Sequence, residues 1–279
     1  MHLLYNLQLL AEENFKISFN NRAFQYNDGL FDTLIVEQGK IRFLADHLER
    51  IMQAMQLLKM QVPAEFQNLN LLEERISELA AVNQLQDKLA RAKIHVWRAP
   101  GGLFTPEQNQ AESLITVQEQ PVISAFIPQA GFAASVQNQY SSLSFFKGPF
   151  ATQYVLASLE KKERQLDELI LITPQGFVSE VLVANIFWIR NNVVYTPALQ
   201  TGCIAGIIRK NILKLAVTQN IDIQEGLYPV SELMQADFVF TSNVTGLRTI
   251  QQIQEKQFAH QHTIHDKLNQ LLFSGSGKW

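Results

Sequence analysis

Apolar and polar positions along this chain follow two different periods. Leu48, Ile51, Met52, Met55 and Leu58 recur at helical spacing, so the pattern predicts a helix with one apolar face, capped by Asp46. The residues before it, Ile41-Arg42-Phe43-Leu44, read as the end of a strand that follows a Gly39-Lys40 turn. Residues 70–90 repeat the helical spacing through Leu71, Leu72, Ile76, Leu79 and Ala80. The period then drops to two. Ala92, Ile94 and Val96 alternate with Lys93, His95 and Trp97, which predicts a strand.

Pro100-Gly101-Gly102 breaks the regular pattern, and Ser113–Val117 resumes it as a strand. The polar run Gln118-Glu119-Gln120-Pro121 places a predicted domain boundary there. Residues 1–120 then form a smaller N-terminal α/β domain and residues 121–279 a larger C-terminal one. In the second half, Leu169–Ile172, Ile186–Ile189 and Val193–Tyr195 are rich in β-formers, with turns at Pro174-Gln175-Gly176 and Asn191-Asn192. Helices are predicted over Gln153–Gln165, Gly206–Gln219 and Ile264–Phe273, and the glycine–serine tail at Ser274–Lys278 is expected to fray.

Composition narrows the classes. Hydrophobic residues make up 47% of the 279 positions and charged residues 18%, enough apolar side chain for a real core and too little charge for a disordered chain. The net charge of −3 and the lack of a dense Lys/Arg run argue against nucleic acid as a main partner. The single cysteine, Cys203, excludes an intrachain disulfide framework or a cysteine-based zinc site and suits a reducing compartment. The first residues lack a basic stretch, and Glu12, Glu13 and Asn14 interrupt the apolar run after them, so no signal peptide is expected. With no apolar run of spanning length, the expectation is a cytoplasmic chain without a membrane span.

Candidate chemistry concentrates in four segments. These are Asn21–Thr33, with Tyr26-Asn27-Asp28-Gly29-Leu30-Phe31-Asp32-Thr33; His47-Leu48-Glu49-Arg50; Ser144-Phe145-Phe146-Lys147; and Val178–Trp188 continuing through Tyr195-Thr196-Pro197 to Gly202–Arg209. As an ordered set they resemble class IV aminotransferases, the fold-type IV enzymes that use pyridoxal 5′-phosphate (PLP). The resemblance runs roughly from Asn21 to Ile250 and rests on order and spacing, since each motif alone is weak. It implies an α/β (α+β) two-domain fold of the D-amino-acid aminotransferase type. PLP would lie in a cleft and be held mainly by the C-terminal domain, and the chain would pair as a homodimer.

The residues themselves suit that chemistry. Lys147 stands between Phe145-Phe146 and a Gly148-Pro149 turn, and a desolvated lysine has a lowered pKa and can act as a base. The resemblance makes it the Schiff-base lysine and the catalytic residue. Glu180 precedes the apolar Val181-Leu182-Val183-Ala184, where a carboxylate needs a partner; in the family the matching glutamate contacts the pyridine nitrogen. Gly202–Arg209 reads as a glycine-bracketed turn entering a helix, whose free N–H groups suit a phosphate. The resemblance puts the backbone amides of Ile207 and Ile208 there, with Arg50 and a second loop that contains Ser242 and Asn243.

Four positions depart from the family pattern. Ile208 stands where many relatives carry threonine, Asn27 where they carry glycine, Phe150 where they carry asparagine, and Thr152 where some carry a tyrosine that touches the cofactor. Asparagine tolerates left-handed backbone, so the turn at Asn27 is expected to survive. Other features read as structural. His260, His262 and His265 fit a solvated helix start better than a metal site, Cys203 a small buried residue, and Gly101-Gly102 carries no dinucleotide fingerprint. No role is assigned to Arg22 and Arg98.

Three activities compete for a small amine substrate. The resemblance favours aminodeoxychorismate lyase, which forms 4-aminobenzoate and pyruvate for folate synthesis, on the strength of Ile208, of Asn243 with Gly246, and of Ala184–Trp188. A class IV aminotransferase acting on branched-chain or D-amino acids would share the same cofactor residues. A non-catalytic relative that keeps the fold as a binding protein is disfavoured by the retained Lys147 and Glu180.

Overall fold

The computed structural model describes residues 1–273. Its elements in chain order are β1 (His2–Tyr5), β2 (Gln8–Ala11), α1 (Arg22–Tyr26), β3 (Gly29–Glu37), β4 (Lys40–Ile41), α2 (Leu44–Leu57), α3 (Leu69–Val82), β5 (Ala90–Arg98), β6 (Ala111–Glu119), β7 (Phe126–Ile127) and β8 (Ala130–Phe132). They continue with α4 (Ala151–Glu163), β9 (Glu168–Ile172), β10 (Val178–Val181), β11 (Asn185–Arg190), β12 (Val193–Pro197), α5 (Ile207–Thr218), β13 (Ile223–Gly226), α6 (Val230–Leu233), β14 (Phe238–Asn243), β15 (Gly246–Ile250), β16 (Gln252–Ile253), β17 (Lys256–Gln257) and α7 (Thr263–Phe273). Among the described residues no helix is long and apolar enough to cross a membrane.

The chain divides into two compact units. Among the described residues, unit 1 comprises Met1–Val122 together with the short segment Phe146–Pro149, and unit 2 comprises Ile123–Phe145 and residues 150–273. The polar run after Val117 is therefore partly strand, because β6 carries Gln118 and Glu119 in register with Arg91 and Ala90. Lys147 groups with unit 1, on the register of β3.

Unit 1 is one mixed-length sheet ordered β2-β1-β6-β5-β3-β4. Leu30, Leu34, Ile94, Val96, Ile115 and Val117 are buried in it, as are Leu48, Ile51 and Met55 of α2 and Leu72, Ile76 and Leu79 of α3, the two helices that pack on the sheet. Each such side chain contributes about 1.5–3 kcal/mol by leaving water. The predicted α2 differs at its start. Asp46 lies inside the first turn, and the cap is Phe43 in left-handed backbone with φ 55°. Arg42 N donates to Ile35 O at 2.9 Å, so the hairpin continues past β4 and the chain turns at Phe43 straight into helix. The helix predicted over 70–90 stops at Val82, where Asn83 caps it and Gln84 takes a φ of 61°. Asn68 opens it by accepting from Leu71 N at 3.1 Å.

Unit 2 holds two sheets, ordered β10-β9-β8-β16-β17 and β13-β12-β11-β14-β15-β7. Ile170, Val178, Val181, Ile186, Trp188, Val239 and Ile250 form one buried cluster that joins them. Trp188 stacks on Tyr195 at 6.0 Å and meets the edge of Tyr228 at 5.2 Å. The predicted helices at 153–165, 206–219 and 264–273 appear as α4, α5 and α7, shifted by one or two residues. The predicted fraying of the tail falls on residues 274–278, outside the described residues.

Candidate functional site

In unit 1 the alternation along β3 sends Leu30, Asp32 and Leu34 to one buried face and Phe31 to the other. Asp32 is thereby a carboxylate inside the core. Arg50 reaches it from α2 with a forked contact, NH2 to Oδ1 at 2.6 Å and to Oδ2 at 2.8 Å, and Nε to Oδ2 at 3.2 Å. His47, one helical turn earlier, sets Nδ1 3.3 Å from Asp32 Oδ2. Burial alone would push the Asp32 carboxyl up, but Arg50 and His47 outweigh it and hold the group well below the usual carboxylate range. Burial has the opposite effect on His47 and wins there, so the imidazole is pushed down and stays neutral near pH 7.

Lys147 is fixed through its main chain. Phe31 N donates to Lys147 O at 3.0 Å, and Lys147 pairs directly across from Phe31. Gly148 follows with φ 144°, and a Cβ on it would lie 2.7 Å from Gly29 O, so this approach requires glycine. Asn27 takes left-handed backbone (φ 54°, ψ 32°), as expected of an asparagine in a glycine position. Its amide also donates to Gly148 O at 3.0 Å, a tether that glycine could not make. The charge on Lys147 adds to the pull that keeps Asp32 ionised.

Unit 2 builds a second buried carboxylate. Glu180 sits on β10 at a register shift against β9 and is fully enclosed. Tyr154 Oη donates to Oε1 at 2.6 Å, Asn138 Nδ2 to Oε1 at 3.0 Å, and Ile204 N to Oε2 at 3.1 Å. Gln153 Nε2 orients Asn138 by donating to its Oδ1 at 2.8 Å, so two consecutive residues at the start of α4 serve one carboxylate. Burial and the Glu180 charge push the Tyr154 phenol up, which keeps it protonated as a donor. Burial and the same charge push Cys203 up to about 12, so the thiol is no nucleophile at neutral pH.

Beside Glu180 the chain runs through Ile204 into α5. Gly206 precedes that helix, and a Cβ there would meet Asn185 Oδ1 at 2.0 Å. Asn185 Nδ2 donates to Ile204 O at 2.8 Å and so holds the turn. Ile207 and Ile208 open α5 with buried side chains, and first-turn amides have no partner inside a helix. Ser242 pairs in register with Asn185, and its hydroxyl is buried without a hydrogen-bond partner among the described residues. Asn243 instead braces its own loop. Its Nδ2 donates to Val183 O at 3.1 Å, and its Oδ1 accepts from Thr245 N at 2.9 Å and Thr245 Oγ1 at 2.6 Å. An orphaned buried hydroxyl next to first-turn amides fits an anion, and a fixed buried carboxylate nearby fits a cationic ring N–H.

The structure thus groups Arg50 with Lys147 around Asp32 in unit 1, and Glu180, Ile207, Ile208, Ser242 and Asn243 in unit 2. The sequence reading missed Asp32, Asn138, Tyr154 and Asn185 as contributors. For Asp32 a signal existed, a carboxylate in phase with Leu30 and Leu34. Arg22 and Arg98 both grip Asp28, at 2.7 and 2.9 Å, and hold loop carbonyls such as Gly101 O and Leu58 O. His262 and His265 pack against the Phe238 ring at 5.8 and 5.2 Å. Among the described residues no group of three or more His, Cys, Asp or Glu side chains could hold a metal ion.

Comparison with known proteins shows the family. The family model of amino-transferase class IV matches residues 29–253. The chain is 23% identical to an aminodeoxychorismate lyase of Vibrio harveyi over 81% of its own length and 83% of the relative's. It is 24% identical to a D-alanine aminotransferase of Bacillus licheniformis over 88% and 85%. The crystal structure of a 4-amino-4-deoxychorismate lyase from Pseudomonas aeruginosa shares its fold with a TM-score of 0.84 at 21% identity, covering 98% of this chain and 99% of that one. With the family match spanning most of its length, the chain belongs to the class IV aminotransferases, a family of PLP-dependent enzymes.

Proposed function

We propose that this enzyme is a PLP-dependent 4-amino-4-deoxychorismate lyase that releases 4-aminobenzoate and pyruvate. The observation that supports cofactor use most strongly is Glu180, a buried carboxylate fixed by Tyr154, Asn138 and the Ile204 amide. Bound PLP supplies an electron sink beside the substrate's amine-bearing carbon. Glu180 holds a proton on the ring nitrogen that this sink needs. In unit 1 Arg50, and in unit 2 the amides of Ile207 and Ile208 with Ser242 Oγ, would each supply donors for a phosphate, while Asn243 shapes the loop that carries Ser242.

Lys147 Nζ would hold the cofactor, and it would carry a proton from the amine-bearing carbon to the departing enolpyruvate, which leaves as pyruvate. The lyase is favoured over a transaminase by Ile208, which lacks the hydroxyl many relatives carry there, as some lyases of the family also do. The competing reading, an aminotransferase on D- or branched-chain amino acids, is supported by the D-alanine aminotransferase match at nearly the same identity. A cytoplasmic homodimer is part of the same proposal and rests on the family resemblance.

The test is a product assay on the PLP-loaded protein. Aminodeoxychorismate alone should yield 4-aminobenzoate and pyruvate in equal amounts. Faster turnover of an amino acid with a keto-acid acceptor would overturn the lyase in favour of the transaminase. Lys147→Ala should bind PLP, followed by its visible absorption, yet show no turnover; near-normal rates would remove Lys147 from the catalytic role.

A further inference from the structure

The segment that carries Lys147 has a soft link beside the lysine. Phe146–Pro149 groups with unit 1, whereas the chain before and after it belongs to unit 2. The Lys147 carbonyl is pinned, since it accepts from Phe31 N at 3.0 Å. Gly148 comes next with φ 144°, in backbone territory that glycine enters freely and other residues rarely do. No side chain fits there, because a Cβ would lie 2.7 Å from Gly29 O and 3.0 Å from Leu30 Cα. The residue directly after the lysine is thus the one with the fewest intrinsic restraints on its dihedrals.

Asn27 supplies a restraint from outside the segment. Its Nδ2 donates to Gly148 O at 3.0 Å and to Pro149 O at 3.4 Å. With the Phe31 amide, three successive carbonyls, those of Lys147, Gly148 and Pro149, are held from β3 and the turn that leads into it. The anchor is itself fixed. Asn27 N donates to Ala23 O at 3.0 Å at the end of α1, and Asn27 O accepts from Gly29 N at 2.9 Å. The next residue, Asp28, is gripped by the buried Arg22 and Arg98 at 2.7 and 2.9 Å. Asn27 is exposed, so the stability this contact adds is small. A residue that only turned the chain would need no acceptors 121 and 122 positions away.

We propose that Asn27 is a positioning residue for Lys147: its amide takes up the freedom of the Gly148 link and so holds the amine in one place. Proton transfer depends steeply on the distance and angle between the groups that exchange the proton. A lysine on a looser segment spends less time in the productive geometry, while the groups that bind substrate stay as they are. This role rests on Lys147 as the working amine proposed above; the tether itself rests on the geometry of unit 1 alone.

Asn27→Gly and Asn27→Asp separate this role from that of a turn residue. Both new side chains tolerate left-handed backbone, so both proteins should fold. Glycine deletes the amide; aspartate keeps its shape but sets an anion against two carbonyl oxygens in place of a donor. In the PLP-loaded enzyme kcat should fall about three-fold in Asn27→Gly and about ten-fold in Asn27→Asp, with KM within about two-fold of wild type. The pH at which bound PLP changes its visible spectrum should move in the same order. Hydrogen exchange in a peptide spanning residues 144–152, read by mass spectrometry without substrate, should quicken in both variants. Unchanged exchange overturns the tether. Faster exchange with wild-type kcat and spectrum, or a loss carried by KM alone, makes Asn27 a structural residue and overturns the positioning role. If Lys147→Ala keeps near-normal turnover, the reading of Lys147 fails, and the exchange measurement still decides whether Asn27 holds the segment.

Discussion

Two buried carboxylates anchor the two units, and they are held in opposite ways. Asp32 in unit 1 lies against the Arg50 guanidinium, at 2.6 and 2.8 Å, with His47 at its side. Glu180 in unit 2 accepts from a phenol, an amide and a backbone N–H, and none of these brings a positive charge. The Asp32 charge is thus matched within the fold, and its pairing fixes the Arg50 guanidinium. The Tyr154, Asn138 and Ile204 donors fix the position of the Glu180 carboxylate through dipoles. One carboxylate positions a residue; the other suits contact with a ligand.

The largest effect that separates them is on stability. Asp32→Asn leaves the Arg50 guanidinium buried without its counter-charge and should destabilise the protein by about 3–5 kcal/mol, measured by urea unfolding. A loss under about 1 kcal/mol would show that the pair does not anchor the unit. The sign with pH follows from the lowered carboxyl of Asp32. A depressed folded pKa contributes stability above the ordinary carboxylate range and loses it as pH falls below that range. Wild type should therefore weaken in acid, and Asp32→Asn should weaken less.

Glu180→Gln should do the reverse. It keeps the shape and most donors, so stability should change little, while turnover falls by about a hundred-fold or more because the ring nitrogen no longer has an anion beside it. PLP should still bind. A variant with unchanged kcat would take Glu180 out of the site, and one that unfolds would make it a structural residue like Asp32.

Much of this was legible before any coordinates. Helices α2 and α3 and strand β5 follow from apolar spacing, and strands β9, β11 and β12 from runs rich in β-formers between turn residues. Strands β7, β8, β16 and β17, of two or three residues, carry too few positions to show a period. The order of Arg50, Lys147, Glu180 and the 202–209 turn was readable as a family pattern, since chemistry constrains residue type. The groups that hold those residues were not. Asn138 and Tyr154 lie 42 and 26 positions from Glu180 and meet it only in the folded chain. Asn27 was legible as a left-handed residue, but its tether to Gly148 spans 121 positions and has no local trace.

Tyr154→Phe sharpens the contrast on a smaller scale. It removes a 2.6 Å donor from Oε1 and leaves Asn138 on the same oxygen. A lost hydrogen bond to a charged group is worth about 1.5–3 kcal/mol, and with one donor retained the lower end applies. Turnover should fall about ten-fold with KM nearly constant, and the pH at which bound PLP changes its visible spectrum should move. If the spectrum and rate match wild type, Tyr154 packs against Glu180 without positioning it.

A third carboxylate tests whether neutral donors alone can set a charge. Glu160 on α4 accepts from Ala134 N at 3.0 Å, Ser135 N at 2.8 Å and Ser135 Oγ at 2.6 Å, and Arg164 completes the set from the helix surface. Burial pulls its carboxyl up, but the Ser135 and Ala134 donors and Arg164 carry it from 4.5 down to about 2. A group depressed in this way contributes stability above its unfolded value and loses it as pH falls through the folded one, so its window runs from 4.5 down to about 2. Across that window the melting temperature of Glu160→Gln should fall less steeply than that of wild type, so the gap between the two closes toward the acid end. Arg164→Ala isolates the donors. If the acid slope persists in Arg164→Ala, backbone and hydroxyl donors suffice to keep a carboxylate charged, as argued for Glu180. If it vanishes, a cation is needed, and Glu180 must depend on one as Asp32 does.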